Sequence, residues 1–234
     1  CSTALKTKVE NRLPEALKAT GLLMFWVMLT MVPTSLVIGV LAGMREGSRL
    51  DRWLSVLSIT STATPEYVSG IIFSVVFATW LKVLNGSAAT ATSEGITFYN
   101  FTLPVATLSI YAIGYIARMT RASMAEVMSA QYIRTARLKG LSFGSVVMKH
   151  ALRNALIAPF TVIMLQFPWL LSGVVVAEAI FRYQGFGYML VTAASNNDID
   201  LTLACGLVSV AVVLVTQLIS DIGYAYLNPR IRMS

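Results

Sequence analysis

"SAQYIRTARLKGLSFGSVVMKHALRNA", Ser129 to Ala155, is the most basic stretch of a chain that is otherwise strongly apolar. Five cations, Arg134, Arg137, Lys139, Lys149 and Arg153, stand in it at helical spacings. Tyr132 to Lys139 reads as a short basic helix, Gly140 as its C-terminal cap and Ser142 as the N-cap of the next helix. In that second piece Ser142, Ser145, Lys149 and Arg153 fall on one stripe. Phe143, Val146, Val147, Ala151 and Ala155 fall on another. The pattern predicts helix, tight turn, helix.

The surroundings decide what such a motif is for. The chain has 234 residues, of which 56% are hydrophobic and 12% charged, with a mean hydropathy of +0.70. Soluble domains carry roughly a quarter charged residues. Five stretches reach the ~20 apolar residues that a bilayer crossing needs: Gly21 to Ala42, Trp53 to Leu81 with Glu66 inside it, Ile96 to Ala117, Asn154 to Ala177, and Leu201 to Ser220. None alternates as a barrel strand does, so all are read as helices. The expectation is an all-α, polytopic membrane protein with five spans. Its net charge of +7 then belongs to its loops, and nucleic-acid binding is set aside. The second piece of the basic stretch should lie along the membrane surface before turning into the span at Asn154.

Loop charges orient the chain. The first short loop holds Arg45, Arg49 and Arg52, and the tail holds Arg230 and Arg232. The long loop holds Arg118, Arg121, Arg134, Arg137, Lys139, Lys149 and Arg153, whereas the opposite loops hold only Lys82 and Arg182. The positive-inside rule puts the rich side and the C-terminus in the cytoplasm. Lys6, Lys8, Arg12 and Lys18 of the head then fall outside, which fits best if an upstream helix sets the orientation; Cys1 in place of an initiator Met agrees with that.

Chemistry-bearing residues are few. His150 is the single histidine, too little for a catalytic triad or a two-histidine metal site within one chain. Lys149 and Arg153 beside it favour an interfacial or docking role. No Gly-rich run followed by Lys and Ser or Thr forms a phosphate cradle, so any ATP is bound by another subunit. No catalytic, cofactor or metal residue is assigned. Cys1 and Cys205 lack metal-ligand spacing, and Cys205 reads as a packing residue. Ser35, Gly39 and Gly43 share a helix face and permit close helix packing. Pro65, Pro104, Pro159 and Pro168 can kink or break their helices. Glu66, inside the second span, is an expensive residue there; it either faces a pathway or pairs helices, or Pro65 opens a hydrated bend around it.

"YIRTARLKGLSFGSVVMKHALRNALIAP" resembles the cytoplasmic loop of permease subunits of binding-protein-dependent ABC importers, the oligopeptide, dipeptide and nickel branch. Arg134, Thr135 and Ala136 stand at the three positions of that family's Glu-Ala-Ala motif and Gly140 at its glycine. "RLPEALKAT", "GMREGSRLDRWLS", "RMTRASMAEVM" and the tail "NPRIR" extend the resemblance from about Arg12 to Arg232. It departs at Gln131, Gln184 and Asn228, where the family has an acid, Pro and Asp.

The resemblance implies a type I ABC importer transmembrane domain, usually of six spans, in a prokaryotic cytoplasmic membrane. On that basis residues 1–20 are an external segment, 21–227 the transmembrane domain with a docking loop at 118–153, and 228–234 a cytoplasmic tail. The implied partners are a second permease, two ATPase subunits that hold ATP and Mg, and an external binding protein. The implied ATPase-docking residues are Tyr132, Arg134, Thr135, Ala136, Arg137, Lys139, Gly140 and Ser142. Peptides are the expected cargo, with nickel chelates, glutathione or sugars as alternatives. A stand-alone channel or secondary transporter is the rival class; the scarcity of ionisable groups in the spans argues against a membrane-embedded enzyme.

Overall fold

The computed structural model describes residues 9–227, and helices are the regular elements among them. In chain order they are α1 Val9–Gly43, α2 Arg49–Ala63, α3 Glu66–Phe73 with a π-helical extension Ser74–Trp80, and a 3-10 turn Ala89–Ala91. Then come α4 Phe98–Ser129, α5 Gln131–Leu138, α6 Phe143–Ser145, a π-helical stretch Val146–Ala151 and α7 Leu152–Ala155. The last three are α8 Ile157–Phe181, α9 Phe186–Ser195 and α10 Ile199–Leu227. The head 1–8 and tail 228–234 lie outside the described residues, and with them Lys6, Lys8, Asn228, Arg230 and Arg232.

Three helices are individually long and apolar enough to span a bilayer: Arg12–Gly43 of α1, all of α4, and Ile199–Gly223 of α10. A fourth crossing is bent, because Phe143–Ala155 and Ile157–Leu171 meet at 47°. The turn expected at Asn154 therefore comes at Leu156. The second expected span is broken. α2 ends at Ala63, and Pro65 sits in extended geometry (φ −59°, ψ 145°) before α3. Proline lacks an amide hydrogen and disfavours helix at the residue before it, here Thr64. Its carbonyl instead starts the new helix, accepting from Val68 and Ser69 at 3.0 and 3.1 Å. Residues 9–20 are helical and continuous with the rest of α1, and 118–129 continue α4.

The chain folds as two compact units, each assembled from separated segments. The first takes the described part of Cys1–Thr30 with Thr64–Ser109 and Phe167–Leu218. Its core includes Ala16, Phe186, Ala193, Leu201 and Cys205, flanked by Leu13, Leu17, Met189, Leu190 and Val208. Cys205 is fully buried there, the packing role expected of it. At the start of α4, Asn100 and Thr97 cap one another, with the Thr97 N–H donating to Asn100 Oδ1 at 2.9 Å and the Asn100 N–H to Thr97 Oγ1 at 3.3 Å. The outer face of α10 is uncovered: Leu203, Leu207, Val210 and Leu214 are all exposed. A soluble surface does not tolerate such a row, whereas lipid does.

The second unit takes Met31–Ala63, Ile110–Gln166 and the described part of Ile219–Ser234. Here the small-residue face of α1 packs on α4. A Cβ at Gly39 would lie 2.6 Å from the Ala117 carbonyl, and one at Gly43 2.6 Å from that of Arg121. The close approach lets α1 and α4 touch backbone to backbone. Beside it, Asp51 on α2 is buried and takes a bidentate grip from Arg121, with Nε to Oδ1 at 2.6 Å and Nη2 to Oδ2 at 2.8 Å. The Gly47 N–H and the Ser55 hydroxyl also donate to it. Read from sequence, Arg121 is one more inside charge; in the fold it is the counter-ion of a buried acid.

Removing one partner of such a pair strands the other charge. Arg121→Gln is expected to cost on the order of 3 kcal/mol, read as a lower unfolding temperature of the detergent-solubilised protein. Arg121 holds the Asp51 carboxyl at about 2, chiefly through its hydrogen bond, below the ordinary value near ~3.9. The pair's contribution is thus complete above pH ~4 and disappears as pH falls through about 2. Arg121→Gln should flatten that acid limb of the stability profile.

Candidate functional site

In the second unit the basic stretch is an ordered helix–turn–helix. α5 ends at Leu138, and Gly140 follows in the left-handed region at φ +78°. The Leu141 N–H bonds back to the Ala136 carbonyl at 3.4 Å and the Gly140 N–H to that of Arg137 at 3.0 Å, the paired bonds of a Schellman cap. Ser142 then caps the next helix, its hydroxyl accepting from the Ser145 N–H at 3.4 Å. Both caps fall where the residue types require them.

The two faces also sort as expected. Val146, Val147, Ala151 and Ala155 are buried together with Ile133, Ala136 and Met124, while Lys149 and Arg153 stay exposed. Phe143 has two guanidinium groups over its ring, Arg45 at 5.2 Å and Arg137 at 5.7 Å from the ring centre. The motif is tied to its span by the Ser123 hydroxyl, which donates to the Ala155 carbonyl at 2.8 Å. The Asn154 amide donates to the Tyr132 hydroxyl at 3.0 Å.

Of the docking residues named from sequence, Tyr132, Arg134, Thr135, Arg137, Lys139, Gly140 and Ser142 are exposed. Ala136 is not: it is 7% exposed and packs inside the motif against its own chain. Its small side chain sets how closely α5 approaches the neighbouring helix. The exposed face carries apolar residues that sequence reading passes over, namely Leu138 at 82%, Met148 at 69% and Leu141 at 41%. Large aliphatic side chains interleaved with cations, on a rigid support, make a surface suited to a protein partner.

In the first unit a clasp absent from the sequence reading surrounds Glu178. A span ending at Ala177 leaves this acid at a solvated edge; α8 instead runs to Phe181 and buries Glu178 completely. Its carboxylate accepts from the Thr20 hydroxyl at 2.5 Å, from the Tyr188 N–H at 3.0 Å and from the Gly187 N–H. Thr20 in turn accepts from the Phe186 N–H at 2.8 Å. Phe186, Gly187 and Tyr188 open α9, so α8 and α1 together satisfy amides that a helix start leaves unpaired. The Tyr183 hydroxyl, donating to the Ala19 carbonyl at 2.9 Å, closes the same junction. The signal in the sequence is an acid at the end of an apolar run, seven residues before a Gly-Phe-Gly.

Glu66 lies at the start of α3, immediately after the Pro65 break. Its Oε2 rests against Gly173 of α8, where a Cβ would come 2.7 Å away. Its Oε1 is buried with no hydrogen-bond partner among the described residues.

A bent, capped and lipid-facing helical chain with an ordered basic motif is the architecture of a multi-pass membrane protein. Residues 35–233 match the model of the family described as binding-protein-dependent transport system inner membrane component, and the chain belongs to that family. It is a transport component of the inner membrane, not an enzyme. It is 34% identical over 222 residues to the probable peptide ABC transporter permease protein y4tP of Sinorhizobium fredii, covering 94% of this chain and 71% of that one. It is 33% identical over 231 residues to the oligopeptide transport system permease protein AppB of Bacillus subtilis, covering 96% and 72%. Among solved structures it resembles the inward-facing MetNI methionine ABC transporter, with TM-score 0.70 at 15% identity over 97% of this chain and all of that one. It also resembles an amino acid ABC transporter, with TM-score 0.68 at 14% identity over 93% and 94%. These two likenesses establish the ABC importer transmembrane fold.

A carboxylate only accepts, so Glu178→Gln turns an amide hydrogen toward a ring of donors. It is expected to cost about 2 kcal/mol. Gly185→Ala should be worse, since its Cβ would collide with the Glu178 carboxylate. Thermal unfolding and monodisperse yield in detergent check both, against Gly206→Ala, where a Cβ meets nothing.

Proposed function

We propose that this chain forms half of the pathway of an ATP-driven peptide importer and is driven through its helix–turn–helix. The partners in this reading are a second permease, two ATPase subunits that bind ATP and Mg, and an external binding protein that delivers the cargo. The C-terminus lies in the cytoplasm, as the loop charges require. Peptide cargo is supported by the names of the relatives, and nickel chelates, glutathione or sugars are the alternatives within the same architecture.

The observation that carries the docking role is the combination of a rigid interior and a mixed apolar and basic exterior in residues 131–149. Ile133 and Ala136 lock α5 to α4 and to the helix from Phe143, so a push on Leu138 is delivered to two spans rather than absorbed by a loop. Closure of the ATPases on ATP moves the motif as one piece and changes how the spans pack. A positive-inside anchor, by contrast, depends on charge and is indifferent to Leu138 or to a left-handed glycine. Glu66 belongs to the same proposal as a pathway-facing or helix-pairing residue.

Leu138→Asp should release the ATPases from the solubilised complex, or cut uptake at least tenfold, since an apolar anchor at a partner surface is worth about 2 kcal/mol. Gly140→Val should act likewise by opposing the left-handed cap. Lys149→Gln should be mild. Co-purification of ATPase chains with each variant, together with peptide uptake, is the check; full binding and uptake in the first two would leave only the anchor.

A further inference from the structure

The first unit holds a cavity of about 750 Å³ between the start of α1, the 3-10 turn Ala89–Ala91 with the residues after it, and α9. This falls within the ~300–1,000 Å³ range of small-ligand sites. Two walls are fixed: Ala19 and Gly185, both lining it, belong to the clasp that ties α1 to α9 around Glu178. The chemistry of the lining is amphoteric. Arg12, Glu15 and Lys18 face it from α1, and Tyr188, Thr192 and Asn196 from α9 and its end. Among the described residues none of the three charged side chains has an ion-pair partner. Neighbours of opposite charge that leave one another unpaired around a concavity are placed to meet charges brought from outside.

We infer that this cavity binds the two charged ends of a short peptide, with Lys18 taking the terminal carboxylate and Glu15 the terminal ammonium. The spacing carries the assignment. Three residues along a helix rise ~4.5 Å, and the two side chains reach beyond that separation. An extended dipeptide spans about 7 Å. Lys18 is the nearer of the pair to Ala19 and Thr20 of the clasp, so the carboxylate is held at the clasp end. Arg12, one turn outward from Glu15, adds positive field at the mouth. The amides that open α9 are occupied by Glu178 and Thr20, so the anion is left to the α1 cations. The uncharged lining from Tyr188 and Thr192 offers hydroxyl oxygens beside the charged pair.

This inference rests on the peptide reading of the whole protein, and one experiment separates the two. Uptake of a dipeptide, its C-terminal amide and its N-acetyl form is measured in proteoliposomes holding the complete complex and the same binding protein throughout. Lys18→Gln should raise KM for the free peptide about tenfold, as for one lost charge-assisted bond. It should leave kcat and the KM of the amide unchanged. Glu15→Gln should do the mirror image, sparing the N-acetyl form, and Lys18→Arg should restore the free peptide. Parallel changes for free and blocked peptides, or failure of Lys18→Arg to rescue, would reduce these residues to a solvated helix end and overturn the site. If the wild-type complex moves none of the three compounds, the peptide reading itself fails and the site falls with it.

Discussion

The packing of α5 onto the chain that follows it is the contact on which the mechanism depends. Ile133 and Ala136 sit among Met124, Val146, Val147 and Ala151, all buried. Neither lipid nor water replaces this contact: the motif carries too many cations to enter hydrocarbon, and its inner face is too apolar for solvent. It therefore folds against its own spans. In the proposed mechanism, residues that look like a charged loop are the short arm of a lever, with the Schellman cap at Gly140 keeping its elbow stiff. The outward face is then free to be specific for a partner, because it contributes little to holding the motif together.

Acids placed in apolar surroundings do different work in the two units. Asp51 is neutralised by Arg121, and the pair pins α2 to α4 where α1 and α4 already touch through Gly39 and Gly43. Glu178 is satisfied by hydrogen bonds alone and holds α9 to α1 and α8. Glu66 is the exception, with one oxygen buried and unpartnered among the described residues. Buried polar atoms are normally satisfied, so the contrast among these three acids singles out Glu66 as the position still waiting for a partner.

Much of this was legible in the sequence. Apolar length located the crossings of α1, α4 and α10 and the bent one at Leu156, and Gly140 with Ser142 announced the turn, because caps are local devices that depend on a few neighbouring residues. The stripe through Val146, Val147, Ala151 and Ala155 gave the buried face in advance. What escaped was long-range. Arg121 and Asp51 are 70 residues apart, and Thr20 and Glu178 are 158 apart, so nothing near either residue declares its partner. Ala136 was assigned to the outer surface by its place in a motif, whereas three-dimensional packing turns it inward. Pro65 was seen as a possible kink, but only the backbone shows that it splits the second span in two.

The central claim, that the helix–turn–helix is a docking lever, is tested most directly by contact. A photo-crosslinking amino acid at Leu138, in the complete transporter in native membranes, is compared with the same probe at Leu207 on the exposed face of α10. The expected result is a covalent adduct between Leu138 and an ATPase chain, changing in yield when ATP is bound, and no such adduct from Leu207. A functional transporter in which the Leu138 probe captures only lipid or solvent would contradict the account.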